Sequence, residues 1–372
     1  MNLGKLKFLA DSAKYDLCNY ISGNIETYAD GKIPGVYNST TPNGQCIPIF
    51  KVLMTNKCSN DCKYCINNIK SKSEFYKYEP IELSNLFLEY YNKRYVEGLF
   101  LSSGIGDSID LSMENEIEVA KILREQGYDG YIHLKILPGT SFDLIKRAMR
   151  LANRVSVNIE SPTPDGLEEI TSTKNFKIDI LRRMKWISNL SKKDSNLAVS
   201  GQTTQFIVGA TDETDEEFLK RSKWLHDKFK IRRSYYSAFS PLQDTPLEKH
   251  SKPHPMRTAR LYQADFLLNS YKFDFKELVF DENGKIETDV DPKYTFAMHN
   301  LNLFPIDINE SSYDELIRVP GIGKTSASRI LTLRKHGVKM NKLEELKNLG
   351  VSVNRAEPFI KLKNSYQSVL NF

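Results

Sequence analysis

The chain has 372 residues, of which 40% are hydrophobic, and a net charge of +5 from 52 Lys/Arg against 47 Asp/Glu. That length suits one large domain with an appendage and leaves room for a substantial core. No stretch nears the roughly 20 apolar residues of a membrane span. Five cysteines, three of them bunched, do not form the pattern of a disulfide framework, so a reducing cytoplasm is the expected compartment.

Met1–Tyr20 carries Lys5, Lys7, Asp11, Lys14 and Asp16 without an apolar block, and reads as an amphipathic helix and not as a signal peptide. From Ile49 onward, short apolar runs alternate with helical patterns. Strands are predicted at Ile49–Thr55, Gly98–Ser103, Gly130–Leu137, Arg154–Glu160, Thr204–Gly209 and Tyr235–Phe239. The helical stretches between them are Ile81–Tyr95, Glu114–Glu125, Phe142–Ala152, Ile178–Leu190 and Asp215–Phe229. Six such alternations imply parallel strands, right-handed crossovers and outer helices, an α/β fold of the partial (β/α)6 barrel kind. Chemistry in such folds gathers at the C-terminal ends of the strands.

Ser240–Pro255 holds four prolines and marks an exit loop. Arg257–Tyr271 reads as a helix, and Phe280–Ile286 as a hairpin with an Asn-Gly turn. The expected division is an N-terminal helical extension (1–48), an α/β core (49–240), a connecting segment packed on the core (241–304) and a small all-α C-terminal domain (305–372). From Asp307 to the end there are 11 Lys/Arg against 7 Asp/Glu, so most of the excess positive charge lies there. A solvated face and a phosphate-binding module both have that balance.

The first strand runs into Cys58-Ser-Asn-Asp-Cys62-Lys-Tyr-Cys65. Three thiolates on a compact loop can wrap an iron–sulfur cube and leave one iron uncovered. The competing zinc site needs a fourth Cys or His nearby, and the first histidine of the chain is His133. The C-x3-C-x2-C spacing, with Tyr64 before the last Cys and directly after a first strand, resembles the radical SAM superfamily over residues 49–240. The resemblance implies one [4Fe–4S] cluster held by Cys58, Cys62 and Cys65, with S-adenosylmethionine chelating the open iron. One-electron cleavage of the sulfonium then gives a 5′-deoxyadenosyl radical that abstracts hydrogen from a substrate. It also implies a reductant such as flavodoxin or ferredoxin.

Further cofactor positions follow from the same resemblance. Ser102-Ser103-Gly104 is similar to the segment that binds the methionine amino group, although no acidic residue follows it. Asn158 and Glu160 stand where polar groups meet the ribose and methionine. Ile207 and Gly209 resemble an adenine-binding Gly-x-Ile-x-Gly segment in which Gln205 replaces the first Gly. Lys135 ends the third strand within reach of a carboxylate, and Tyr64 completes the set. A turn or strand-end polar residue is the bland reading of each alone. Cys18 and Cys46 cannot supply a second cluster; they read as buried small apolar side chains, with hydrogen donation to a substrate radical as the alternative. Catalytic residues beyond the cluster are not identified.

Near the C-terminus, Leu316, Ile317 and Val319 make one apolar helix face, and Ala327, Ile330, Leu331 and Leu333 another. Pro320-Gly321-Ile322-Gly323 between them allows only a tight hairpin, with Ile322 plugged into the core. The segment resembles the helix–hairpin–helix motif of DNA repair and uptake proteins. That implies backbone N–H groups around Gly321, Ile322 and Gly323 gripping a phosphate, with Lys324, Thr325 and Ser326 assisting, and no reading of base sequence. A weaker second copy is expected at Leu343–Val351. The alternative is a protein-contact module.

The whole chain resembles a bacterial family of radical SAM proteins described as acting in DNA modification or repair. The matching stretches are Ala13-Lys-Tyr-Asp16, Gly98–Gly104, Gly130–Lys135 and Tyr235–Pro241. The resemblance implies DNA as partner and, further, a uracil-DNA-glycosylase-like protein. Tyr235, Tyr236 and Phe239 could stack on a base, and alternation along the strand turns at least one of them into the core. Two other readings stay open: a radical enzyme acting on RNA or a small molecule, and a non-catalytic iron–sulfur DNA-binding protein.

Overall fold

The computed structural model describes residues 3–13, 33–40 and 46–362. It divides into two compact units: Met1–Glu213 with Lys220–Thr258, and Thr214–Leu219 with Ala259–Phe372.

The first unit opens with α1 (Leu3–Ala13), which buries Leu6, Leu9, Ala10 and Ala13. Residues 14–20 of the expected helix lie outside the described residues. A seven-stranded sheet follows, with its strands in chain order: β1 (Val36–Thr40), β2 (Cys46–Leu53), β3 (Gly98–Ser102), β4 (Tyr131–Lys135), β5 (Arg154–Ser156), β6 (Gln202–Val208) and β7 (Arg233–Ala238). The six strands β2–β7 are parallel, as the β–α alternation predicts, and β1 adds an antiparallel edge that the sequence pattern did not announce. The crossovers hold α2 (Pro80–Asn92), α3 (Ile109–Glu125), α4 (Phe142–Leu151), α5 (Pro164–Ile170), α6 (Arg182–Lys193) and α7 (Asp215–Phe229). Right-handed crossovers place helices on one face of a parallel sheet. Leu99, Leu101, Ile132, Leu134, Val155 and Val157 form the apolar rows that are buried in it.

The ends of the elements have local causes. Ser108 caps α3, its hydroxyl accepting from Leu111 N–H at 3.1 Å, which starts that helix five residues earlier than its apolar pattern does. A π-turn at Phe176–Leu181 leads into α6, so the expected Ile178–Leu190 helix is two pieces. The fourth expected strand stops at Ser156, but Val157 and Ile159 N–H still donate to Thr203 and Gln205 carbonyls of β6 at 3.2 and 3.1 Å. Glu160 then takes φ +67° and ends the extended run.

Arg124 fixes the start of β4 and β5. Its guanidinium donates to the carbonyls of Tyr128, Gly130 and Leu151 and to Asn153 Oδ1, with 2.9 Å to Gly130 and Leu151.

In the second unit, α8 (Arg257–Asn269) and α9 (Pro292–His299) precede a helical region with a two-residue parallel ladder, β8 (Ile306–Asp307) with β9 (Ile360–Lys361). Its helices are α10 (Tyr313–Leu316), α11 (Lys324–Lys335), α12 (Leu343–Asn348) and α13 (Val353–Ala356). Ile308, Leu316, Ile317, Val319, Ile322, Ala327, Ile330, Leu346, Val351, Ala356 and Phe359 form its core. Gly321 (φ +86°) makes the first hairpin and Gly350 (φ +87°) the second. The two turns meet: Ser352 N–H donates to Gly321 carbonyl at 2.9 Å, and a Cβ on Gly321 would stand 2.4 Å from Ser352 carbonyl. The hairpin expected at Phe280–Ile286 is a turn without strands, because the Asp281 carboxylate takes the N–H groups of Asn283 and Lys285.

Replacing Arg124 by Met takes the guanidinium away from the Tyr128, Gly130 and Leu151 carbonyls, while Asn153 Oδ1 keeps the Ile132 N–H. The substitution is expected to cost about 2–4 kcal/mol, read as a lower midpoint in urea with an unchanged m-value.

Candidate active site

At the C-terminal ends of the strands lies one cavity. Cys58, Cys62, Tyr64, Cys65, Ser102, Ser103, Gly104, Lys135, Asn158, Glu160 and Ile207 all line it. Gly209 does not. Its φ is +87°, its carbonyl contacts His250 Nε2 at 3.1 Å, and a Cβ there would meet the Pro253 ring. Cys46, expected to be buried, is exposed at the start of β2, on the edge side of the sheet. Cys18 lies outside the described residues.

The cysteine loop is clamped on two sides. Towards β3, Ser59 N–H donates to Ile105 carbonyl and Gly104 N–H to Thr55 carbonyl, each at 2.8 Å. A Cβ on Gly104 would stand 2.3 Å from the Lys57 carbonyl, so the two segments touch only because that residue is glycine. Towards α5, Lys63 N–H donates to Ile170 carbonyl at 2.8 Å. Asp61 accepts from the backbone and hydroxyl of Ser172 and from the hydroxyls of Thr171 and Thr173. Burial pushes the Asp61 carboxyl up, but these bonds outweigh it and hold the group well below the usual carboxylate range.

The three thiols differ in setting. Cys62 is buried, while Cys58 and Cys65 are half-buried. Burial, then the neighbouring Cys62 charge, pushes the Cys65 thiol up to about 12, and burial also raises Cys62. Thiolates so placed need positive charge beside them. One source is Lys174, a residue the sequence reading missed. Its ammonium contacts Glu160 Oε1 at 3.2 Å and hydrogen-bonds Cys62, with the Lys174 and Glu160 side chains only 6% and 4% exposed. Lys174 follows α5 in a Ser-Thr-Lys-Asn stretch with no motif to announce it.

Across the other strand ends runs a polar chain. Asn158 Nδ2 donates to Gln205 Oε1 at 3.3 Å, and Gln205 Nε2 donates to the Ser237 hydroxyl. Phe239, buried, closes the wall, while Tyr236 stacks on Phe206 in the core at 5.5 Å between ring centroids. Tyr235, half-buried, points the opposite way from Tyr236. Of the three, Tyr236 and Phe239 are thus buried, and only Tyr235 is half-buried.

These residues fit an iron–sulfur cluster with a charged organic cofactor. The donor set is three thiols around one cavity, Asn67 Oδ1 is buried there without a partner, the Glu160 carboxylate is buried between Lys174 and Tyr64, and apolar Ile136, Leu137 and Ile207 flank them. His133, the first histidine of the chain, is 2.9 Å from the Ser156 hydroxyl within the sheet.

On the second unit, Lys324 and Thr325 are exposed at the start of α11, while Ile322 and Ser326 are buried. The Tyr271 hydroxyl accepts from Lys324 N–H, and the Lys293 ammonium donates to Ile322 carbonyl at 2.6 Å. Part of the hairpin is therefore already engaged.

Residues 52–225 match the Radical SAM superfamily, and residues 302–357 match the Helix-hairpin-helix motif. The chain carries a radical SAM domain on a curled half-barrel sheet, and the cofactors of that class are a [4Fe–4S] cluster and S-adenosylmethionine. Among curated proteins no match is found. Among solved structures, the FeFe-hydrogenase maturase HydG from Carboxydothermus hydrogenoformans is similar at 13% identity and a TM-score of 0.49, over 59% of this chain and 51% of that one. Methylornithine synthase (PylB) is similar at 12% and 0.49, over 59% and 61%. A second HydG structure is similar at 12% and 0.47, over 81% and 75%. The chain thus spans 51% and 61% of the first two. These overlaps add nothing to the assignment that residues 52–225 already make. No helix among the described residues is long and apolar enough to cross a membrane.

Replacing Lys174 by Met leaves the Glu160 carboxylate buried without its cation, a change that costs about 3–5 kcal/mol in comparable pairs. A matching fall in stability of the cluster-free protein is expected by chemical denaturation, with Glu160→Gln in the same background restoring part of it.

Proposed function

We propose that the chain is a radical SAM enzyme acting on DNA in modification or repair. Cys58, Cys62 and Cys65 hold the cluster and leave one iron for the cofactor. When bound, that pair supplies a 5′-deoxyadenosyl radical by one-electron cleavage of the sulfonium. The chain's own residues bind and orient. The backbone and hydroxyls of Ser102, Ser103 and Gly104 meet the methionine end. Asn158 and Glu160 present acceptors to the ribose and amino groups, with Lys174 and Lys135 available to a carboxylate. Ile207 flanks the adenine, and Phe239 with the cysteine loop excludes water.

The observation that carries the DNA reading is the pairing of this cavity with a helix–hairpin–helix motif in one chain. Backbone amides at a helix start grip phosphate without reading sequence, and Lys324 and Thr325 stand exposed at that position. A base inside a duplex must be extruded at a cost of a few kcal/mol, which favours damaged or single-stranded sites. Phe239, which lines the cavity, is the ring placed to stack on it.

One observation favours a second reading. With Tyr271 on the Lys324 amide and Lys293 on the Ile322 carbonyl, the hairpin is partly closed by its own unit. A protein-contact role for that unit, with RNA or a small molecule as substrate, accounts for this equally well.

Anaerobically reconstituted protein is expected to release more 5′-deoxyadenosine with DNA than without it, measured by chromatography. Lys324→Glu is expected to weaken DNA binding about tenfold at low salt and to flatten its salt dependence. Release indifferent to every nucleic acid offered, with unaltered binding by the variant, favours the second reading.

A further inference from the structure

The two faces of the parallel sheet differ in kind. On one, Phe50, Leu99 and Ile132 are consecutive Cα partners, none of them exposed, and Phe50 packs on Phe87 and Tyr90 of α2. One residue further along, Lys51 pairs with Phe100, Phe100 with His133 and His133 with Arg154. Alternation turns this row to the inner side, away from the helices. The next row on that side joins Lys135 to Ser156, Ser156 to Thr203 and Thr203 to Arg233. The two rows hold two lysines, two arginines and a histidine, with no Asp or Glu.

These groups are in reach of one another. The Lys51 ammonium lies 4.5 Å from the Phe100 ring centroid, and that ring lies 4.3 Å from the His133 imidazole. Burial first, then the charges of Arg154, Lys51 and Lys135, holds the imidazole well below its usual range, so it is neutral at pH 7. Burial raises the Tyr131 hydroxyl to about 12, and Arg154 and Tyr235 both act on it; the Arg233 guanidinium stands 5.2 Å from the Tyr235 ring centroid. Arg154 Nε and Thr203 Oγ1 are buried without a hydrogen-bond partner among the described residues.

A face with only a packing role would be apolar, like the opposite one. Like charges crowded on a low-dielectric wall oppose folding, and such departures from the local rule mark functional surfaces. They also focus a positive field inside the concavity. Lys135 and Ser237, on the same side, line the thiol cavity, while Arg154 is half-buried and Arg233 exposed. The basic face thus runs from that cavity out to solvent.

We infer that this inner face is a phosphate subsite, in which Arg154 and Arg233 hold the phosphate of a nucleotide whose reacting part lies in the thiol cavity. The inference rests on the DNA reading and deepens it, by placing a second phosphate grip inside the half-barrel and apart from the helix–hairpin–helix motif. Guanidinium forks suit phosphate oxygens, and Lys51 adds charge from below without having to touch the ligand. A free deoxynucleotide and a DNA strand carry the same group.

The test is calorimetric titration of the full-length, cluster-loaded protein with dTMP, thymidine and single-stranded oligothymidylate. dTMP is expected to bind about tenfold or more tightly than thymidine. Arg154→Gln with Arg233→Gln is expected to remove that advantage, leaving thymidine within about twofold and the cluster absorbance unaltered. Arg154→Lys with Arg233→Lys, which keeps the charge, restores part of it. Lys192→Gln with Lys193→Gln, an equal change of charge on the outer helix α6, is expected to leave dTMP within about twofold. Should the Gln pair fail to load a cluster, Arg233→Gln alone, at its exposed position, is expected to weaken dTMP about threefold. Unchanged dTMP affinity in the arginine variants overturns the inference, as does equal loss for thymidine or in the α6 variant. Oligothymidylate binding that depends on the arginines, with no binding of dTMP, supports the subsite and assigns it to a polymer. Oligothymidylate binding indifferent to the arginines removes the subsite and keeps the DNA reading. Arginine-dependent dTMP binding with none of the oligomer keeps the subsite and removes the DNA reading.

Discussion

The site depends on a loop held in shape before anything binds to it. Three thiols kept close together repel as they ionise, and burial raises the cost further. The loop tolerates this because both of its flanks are fixed. On one side Gly104 lets the end of β3 approach the Lys57 carbonyl; on the other, Asp61 is locked onto residues 171–173. Neither clamp involves a thiol. The cysteines are therefore positioned by bonds that remain whether or not metal is present, and little ordering is left to be done on binding.

The parallel sheet turns that local rigidity into a reaction chamber. Its strands end in step, so Ser102, Lys135, Asn158, Ile207 and Ser237 arrive at one rim from five strands. Asn158, Gln205 and Ser237 tie three of those ends together. Lys174 and Glu160 put a buried ion pair directly beside Cys62, where one positive charge serves both a carboxylate and a thiolate.

Much of this was legible in the sequence because it is periodic or tightly spaced. Strand alternation located β2 to β7, and the C-x3-C-x2-C spacing located the loop. Gly321 and Gly323 marked the hairpin because only a tight turn fits between the two apolar faces. What escaped has no local signal. Lys174 acts through a partner 14 residues away. β1 exists only by pairing with β2, and the clamps on the cysteine loop join Asp61 to residues more than 100 positions later. Gly209 was placed by its resemblance to an adenine-binding segment; its positive φ and the neighbouring Pro253 ring, which require glycine there, were not legible in the sequence. The Asn-Gly turn at residues 283–284 was read correctly as a turn. The strands around it did not form, since Asp281 diverts the amides a ladder would use.

The central claim is that three cysteines leave one iron of a cluster open to the sulfonium cofactor. The most direct measurement is the EPR spectrum of the reduced, anaerobically reconstituted protein with and without S-adenosylmethionine, together with its iron content. The account predicts about four irons per chain and a spectrum whose g-values shift when the cofactor is added. Zinc in place of iron, or a cluster signal indifferent to the cofactor, would contradict it.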